Sequence, residues 1–124
     1  MNIAYVYKNQ GNKSLAIENL YSAKAELKKA LQYNEKYHLP YNNLANINGN
    51  LLELTIGIKD FYRDYKNINF EGLNDKEISK LYNYIKEACD YLNKSIETEP
   101  NFIDNYYNMA TFYLYMKIER IINI

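Results

Sequence analysis

The stretch DKEISKLYNYIKEACDYLNKSIETEPN, residues 75–101, decides the fold class. Its apolar residues Ile78, Leu81, Tyr82, Ile85, Ala88, Cys89, Leu92 and Ile96 recur every three or four positions. That spacing places them on one face of an α-helix. Asn74, with Glu77 three residues later, has the form of a capping box at the helix start. Glu99-Pro100 closes the helix, because a residue before proline is driven out of the helical region.

The same spacing recurs on both sides of this segment. Upstream lie Ala16, Leu20, Ala23, Leu27, Ala30 and Leu31, and then Leu44, Ile47, Leu51, Leu54, Ile58, Phe61 and Tyr65. Downstream lie Phe102, Tyr106, Met109, Ala110, Tyr113 and Met116. Gly49 and Gly57 interrupt the second run, each costing about 1 kcal/mol against Ala, and point to a kink. Residues 66–73 carry Asn and Gly without a sustained period and read as a loop. No segment shows the strict alternation of a half-buried strand. The pattern predicts helices near residues 2–10, 13–37, 41–65, 75–98 and 102–118, about five in all, and no sheet.

Composition narrows the function classes. The chain has 124 residues, one domain's worth, with 15 Lys and Arg against 15 Asp and Glu. A neutral balance without a basic stripe argues against nucleic acid and against docking to anionic membranes. No run approaches a membrane span, and the first residues lack the form of a signal peptide, so the expected address is the cytoplasm. Cys89 is the single cysteine and His38 the single histidine. One on an apolar stripe and the other at a presumed helix end make a poor catalytic pair, and no ligand-spaced cluster suggests a metal site. Neither a cofactor nor a catalytic residue is expected. Asn12-Lys13-Ser14 and Asn93-Lys94-Ser95 match the glycosylation sequon but lie in helical context.

An internal repeat is also visible. Residues 40–46, PYNNLAN, align with residues 106–111, YYNMAT, and residues 1–7, MNIAYVY, fit the same template. On Tyr106, Met109, Ala110 and Tyr113, on Ala88, Leu92, Ser95 and Pro100, and on Ile3, Ala4, Tyr7, Gly11, Ala16, Leu20 and Ala23, the chain resembles a tetratricopeptide repeat protein. The resemblance implies an all-α superhelix, a solenoid of antiparallel helix pairs, over residues 1–124 as a single domain. Two insertions depart from the family pattern, one in the second helix of the first unit and one that makes the middle unit irregular. One lengthens the helix after Ala25; the other puts 43 residues between Ala45 and Ala88. Both ends look open, which suggests a fragment of a longer repeat protein or a homo-oligomer formed through those ends.

The family likeness also implies a function: a scaffold that binds another protein or peptide on its concave surface, and not an enzyme. Alternatives are a structural or oligomerisation element and a regulatory domain of a larger protein. Carried over by position, the groove comprises Asn2, Tyr5, Asn43, Asn46, Asn50, Asp104, Tyr107, Asn108, Thr111 and Tyr115. An Asn amide offers donor and acceptor together and suits an extended backbone. Asn2, Asn43 and Asn108 hold the family's clamp position, with the alternative that they bridge neighbouring helices. Lys8 is the one cation beside them, so an uncharged or mixed peptide is favoured over a carboxylate tail. Tyr7, Tyr41, Tyr106 and Tyr113 fall in packing slots. Tyr5, Tyr107 and Tyr115 are the tyrosines expected to make contact.

Overall fold

The computed structural model describes residues 12–34, 36–57 and 72–116. Among them are four α-helices and no strand: α1 (Lys13–Tyr33), α2 (His38–Ile56), α3 (Asp75–Thr98) and α4 (Ile103–Met116). The fifth expected helix, near residues 2–10, lies outside the described residues.

Each boundary has a local cause. The Asn12 side chain accepts from the Leu15 N–H and caps α1. α1 ends at Tyr33, four residues before the expected end. α2 begins at His38, three residues early, since Pro40 falls in its first turn, where no intrahelical N–H bond is lost. The kink expected at Gly57 is a stop. That residue adopts a left-handed φ of 83° and its N–H bonds the Glu53 carbonyl. Asn74 and Glu77 complete the capping box at the head of α3.

Pairing of the helices follows from their contacts. Ser95 Oγ donates to the His38 carbonyl at 3.1 Å and Asn48 Nδ2 to the Tyr84 carbonyl at 3.1 Å, so α2 and α3 run antiparallel. Tyr21 meets Tyr84 and Lys24 meets Glu87, so α1 and α3 run parallel. Asn42 meets Asn105, and a Cβ placed on Gly49 would lie 3.5 Å from the Phe112 ring, so α2 and α4 also run parallel. In all four of these parallel pairings the partners lie 63 residues apart.

Helix α2 is central. It touches each of the other three, most closely α3. It buries Tyr41, Leu44, Ala45, Ile47, Leu51, Leu52 and Leu54, and with them the polar Asn42 and Asn48. A helix buried on several sides needs this breadth of apolar surface. Opposite it, α3 buries Ile78, Leu81, Tyr84, Ile85, Ala88, Leu92 and Ser95, close to the stripe read from the sequence. Ala16 and Leu20 supply the apolar core of α1.

Helix α4 departs from expectation. Tyr106 and Tyr113, assigned to packing slots, are 50% and 59% exposed, and Ala110 is exposed as well. The inward face consists of Asn105, Met109, Phe112 and Tyr115. The helix is turned about one residue from the predicted register, because Asn105 bonds Asn42 and must face α2. Tyr106 instead donates its hydroxyl to the Pro100 carbonyl at 2.7 Å. His38 opens α2 and does not close α1.

A buried polar network joins α1, α2 and α3. Lys24, only 8% exposed, donates to Asn48 Oδ1 at 3.1 Å and pairs with Glu87. Asn48 Nδ2 donates to Glu87 Oε1 at 3.0 Å. Burial alone would raise the Glu87 pKa. The hydrogen bonds from Lys24 and Asn48, with the charges of Lys24 and Lys28, outweigh it and hold the carboxyl below its ordinary range.

Two outcomes follow from this packing. Ala88 is fully buried at a close crossing, so Ala88→Leu is expected to lose about 1–3 kcal/mol in denaturant unfolding. Tyr113→Ser, on the open face, should change stability by less than about 0.5 kcal/mol. For the network, a depressed carboxylate pKa means stability that is present above its unfolded value and fades as pH falls through the folded one. The melting-temperature gap between wild type and Glu87→Gln should therefore be widest near neutrality and close below pH 4.5, the ordinary value of that group. A gap that grew on acidification would be inconsistent with the pairing.

Candidate functional site

Side chains on one face of α2 and one face of α4 build both a lattice and a cleft. Asn42, Asn46, Asn50 and Glu53 fall at helical spacing along α2, and Asn105, Asn108, Phe112 and Tyr115 along α4. Nearer the N-terminal ends, Asn42 is the hub. It donates to Asn105 Oδ1 at 2.8 Å and accepts from Asn46 at 3.3 Å and from Asn108 at 3.4 Å. Asn105 is fully buried, and its Nδ2 has no hydrogen-bond partner among the described residues.

One turn further along, the lattice gives way to a cleft of about 370 Å³. Asn46, Gly49, Asn50 and Glu53 form its α2 wall; Asn108, Thr111, Phe112 and Tyr115 form its α4 wall. Gly49 brings no side chain, so the Phe112 ring sits against the α2 backbone and floors the space. Phe112 and Tyr115 pack with ring centroids 5.7 Å apart.

Five of the groove residues predicted from the sequence, Asn46, Asn50, Asn108, Thr111 and Tyr115, meet at this cleft. Asn43, Asp104 and Tyr107 are exposed and do not line it. Asn2 and Tyr5, with Lys8, lie outside the described residues. Tyr115, expected to keep a wet end, is 2% exposed and belongs to the floor. Asn108 turns its amide nitrogen to Asn42, so it bridges helices as well as facing the cleft.

Sequence reasoning missed the two lattice residues Asn42 and Asn105, and with them Gly49, Glu53 and Phe112. The spacing of Asn42, Asn46, Asn50 and Glu53 carried the signal, but Asn43 drew attention to the adjacent face. Gly49 was weighed only as a weak point in a helix, although a missing side chain also makes room for a ligand or a ring.

Other candidate chemistry is sparse among the described residues. Burial, with the nearby Asp90 charge, pushes the Cys89 thiol up, which disfavours the nucleophilic thiolate. No group of three or more His, Cys, Asp or Glu side chains gathers there that could hold a metal ion. No helix among them is long and apolar enough to cross a membrane.

Removing the hub should loosen α4. Asn42→Ala would strip Asn105 of its bond and leave a buried amide wholly unpaired, a loss of about 1–3 kcal/mol. Hydrogen exchange should then show faster opening of α4 than of α3. Uniform loss of protection would argue that the lattice does not hold α4 specifically. Comparisons with protein-family models, with curated proteins and with solved structures find no match.

Proposed function

We propose that the chain is a peptide- or protein-binding scaffold of tetratricopeptide-repeat type, with the cleft between α2 and α4 as the receiving surface. The observation that carries this reading is the cleft itself: an open space of about 370 Å³ between two parallel helices, walled by amides, a hydroxyl and the Glu53 carboxylate over an aromatic floor. An extended peptide presents alternating N–H and C=O groups. Asn side chains answer both without reading sequence.

The helix arrangement supports the family reading. An antiparallel pair, α2 and α3, is flanked by parallel neighbours at a constant offset of 63 residues, as stacked helix pairs would be. That offset is nearly twice the repeat of about 34 residues usual in the family. The long α3, with 24 residues, and the span between Gly57 and Gly72 account for the difference. The exposed Ala110 departs from the family pattern, in which that small residue meets a second helix.

A second reading, self-association, is favoured by the outer stripe of α4. Ile103, Tyr106, Tyr107, Tyr113 and Leu114 are all exposed on it. Sedimentation at micromolar concentration separates the two readings: a monomer that binds peptide supports the scaffold alone.

The cleft is testable by obstruction. Selection of a 12-residue peptide library displayed on phage against the wild-type chain should enrich binders. Asn50→Arg with Thr111→Arg should reduce their affinity at least about tenfold by filling the cleft, with the melting temperature little changed. Binders that ignore this change would locate recognition elsewhere.

A further inference from the structure

We infer that two copies of the chain pair through α4, antiparallel, about a two-fold axis that passes beside Ala110. This rests on the self-association reading above and specifies its geometry. Helix α4 is apolar on two sides. Met109, Phe112 and Tyr115 face inward, while Ile103, Tyr106, Tyr107, Tyr113 and Leu114 are between 42% and 77% exposed. A helix that is apolar on opposite sides is ordinarily covered on both.

The exposed side is centred on one small residue, and its pattern reads the same in both directions. Tyr106 and Tyr107 precede Ala110 by four and three positions; Tyr113 and Leu114 follow it by three and four. At 3.6 residues per turn, these four and Ile103 fall within about 60° of Ala110 around the helix. An antiparallel copy turned about Ala110 therefore sets Tyr106 beside the partner's Leu114, and Tyr113 beside the partner's Tyr107. Ala110, itself exposed, meets its own counterpart. So small a residue lets the two axes approach to the near end of the usual spacing of about 8–10 Å. Tyr106 has already given its hydroxyl to the Pro100 carbonyl, so covering its ring strands no donor.

Charge and area favour a second copy as the occupant. Asp104 is the one charged residue from Ile103 to Met116, and it lies about 120° from Ala110. The face thus meets itself without like-charge repulsion, and the chain's 15 basic and 15 acidic residues leave little at long range. A tyrosine covers about 150–250 Å² when fully buried, so five half-exposed large side chains present roughly 500 Å² per copy. A pair then covers about 1,000 Å², the lower bound of a specific interface, and the dimer is correspondingly weak, with a dissociation constant on the order of tens of micromolar. A face that pairs with itself is used up at two copies, so the assembly closes as a dimer. Asn108, Thr111 and Tyr115 lie about 100–160° from Ala110, and the cleft of each copy stays open.

The test exploits the symmetry, since a two-fold pair sets residue 110 against itself. Sedimentation equilibrium of the full chain up to about 200 µM should show monomer and dimer only. Ala110→Glu and Ala110→Lys should each raise the dimer dissociation constant at least about tenfold. Melting temperatures taken at about 1 µM, where the chain is monomeric, should not change, because residue 110 is exposed in the single chain. Mixed in equal amounts, the two variants should pair with each other and regain most of the wild-type affinity, read as energy transfer between differently labelled copies. A wild type that self-associates but ignores Ala110→Glu, or a mixture that stays monomeric, would overturn the α4 pairing and leave self-association to another face. Stepwise growth beyond two copies would overturn the closed two-fold geometry. A wild type that stays monomeric throughout would overturn this inference and the self-association reading together. If Ala110→Glu then lowers the melting temperature, another segment of the same chain covers the face; if it does not, a different protein is left as the occupant.

Discussion

Helix α2 is packed on three sides yet carries two buried amides, and satisfying them constrains every neighbour. Asn48 faces α1 and α3, where Lys24, Glu87 and the Tyr84 carbonyl meet it. Asn42 faces α4, where Asn105 and Asn108 meet it. A buried amide without partners costs on the order of 1–3 kcal/mol, so sliding or turning any one helix carries a penalty that apolar packing alone would not impose. Leu44, Ile47, Leu51 and Leu52 supply the driving force for collapse, and they would accept many relative positions of the surrounding helices. The two asparagines admit far fewer.

Lys24 shows how far this goes. A buried lysine head group without hydrogen-bond partners would be costly, because it gives up its hydration. Here it finds a carboxylate from α3 and an amide from α2 at the same point. The arrangement uses the stem of Lys24 as apolar filling and its head as a tie between three helices. Its energetic worth is modest, because Glu87 remains partly solvated and both groups give up hydration. Its structural worth is that α1, which packs far less closely than α3 does, is held in one register along α3.

How much of this could be read from the chain depends on which force dominated at each residue. Helix α3 was legible nearly to the residue. Ile78, Leu81, Ile85, Ala88 and Leu92 form an unbroken stripe, and Asn74 with Glu77 marks its start. The ends of α2 differ from expectation at Pro40, which lies inside the helix, and at Gly57, where a kink was expected. The proline is harmless in a first turn; the glycine, with φ of 83°, ends the helix outright. On α4 the tyrosines misled, since Tyr106 and Tyr113 gain little from burial unless their hydroxyls find partners. The buried Asn105, polar and inconspicuous, set the register instead. Half of the candidate groove was legible because the repeat resemblance, carried over by position, includes Asn46, Asn50, Asn108 and Thr111, which line the cleft. Glu53 and Gly49 were not, since neither resembles a binding residue until the opposite wall is in view.

The cleft is a direct consequence of the same asparagine lattice. Asn42 ties α4 to α2 near the N-terminal ends of both helices. Along the next two turns the α2 wall offers only Gly49, with short polar side chains around it, to fill the space. Phe112 closes the bottom of the gap but has no counterpart on α2, so the upper part stays open between two helices already fixed in position. Such a site loses little freedom when a ligand enters, because its walls are ordered beforehand. Asn108, which bonds Asn42 across the two helices, and Asn46, which bonds it within α2, are also cleft residues. A ligand that competed for these amides would pull on the contact that sets the position of α4.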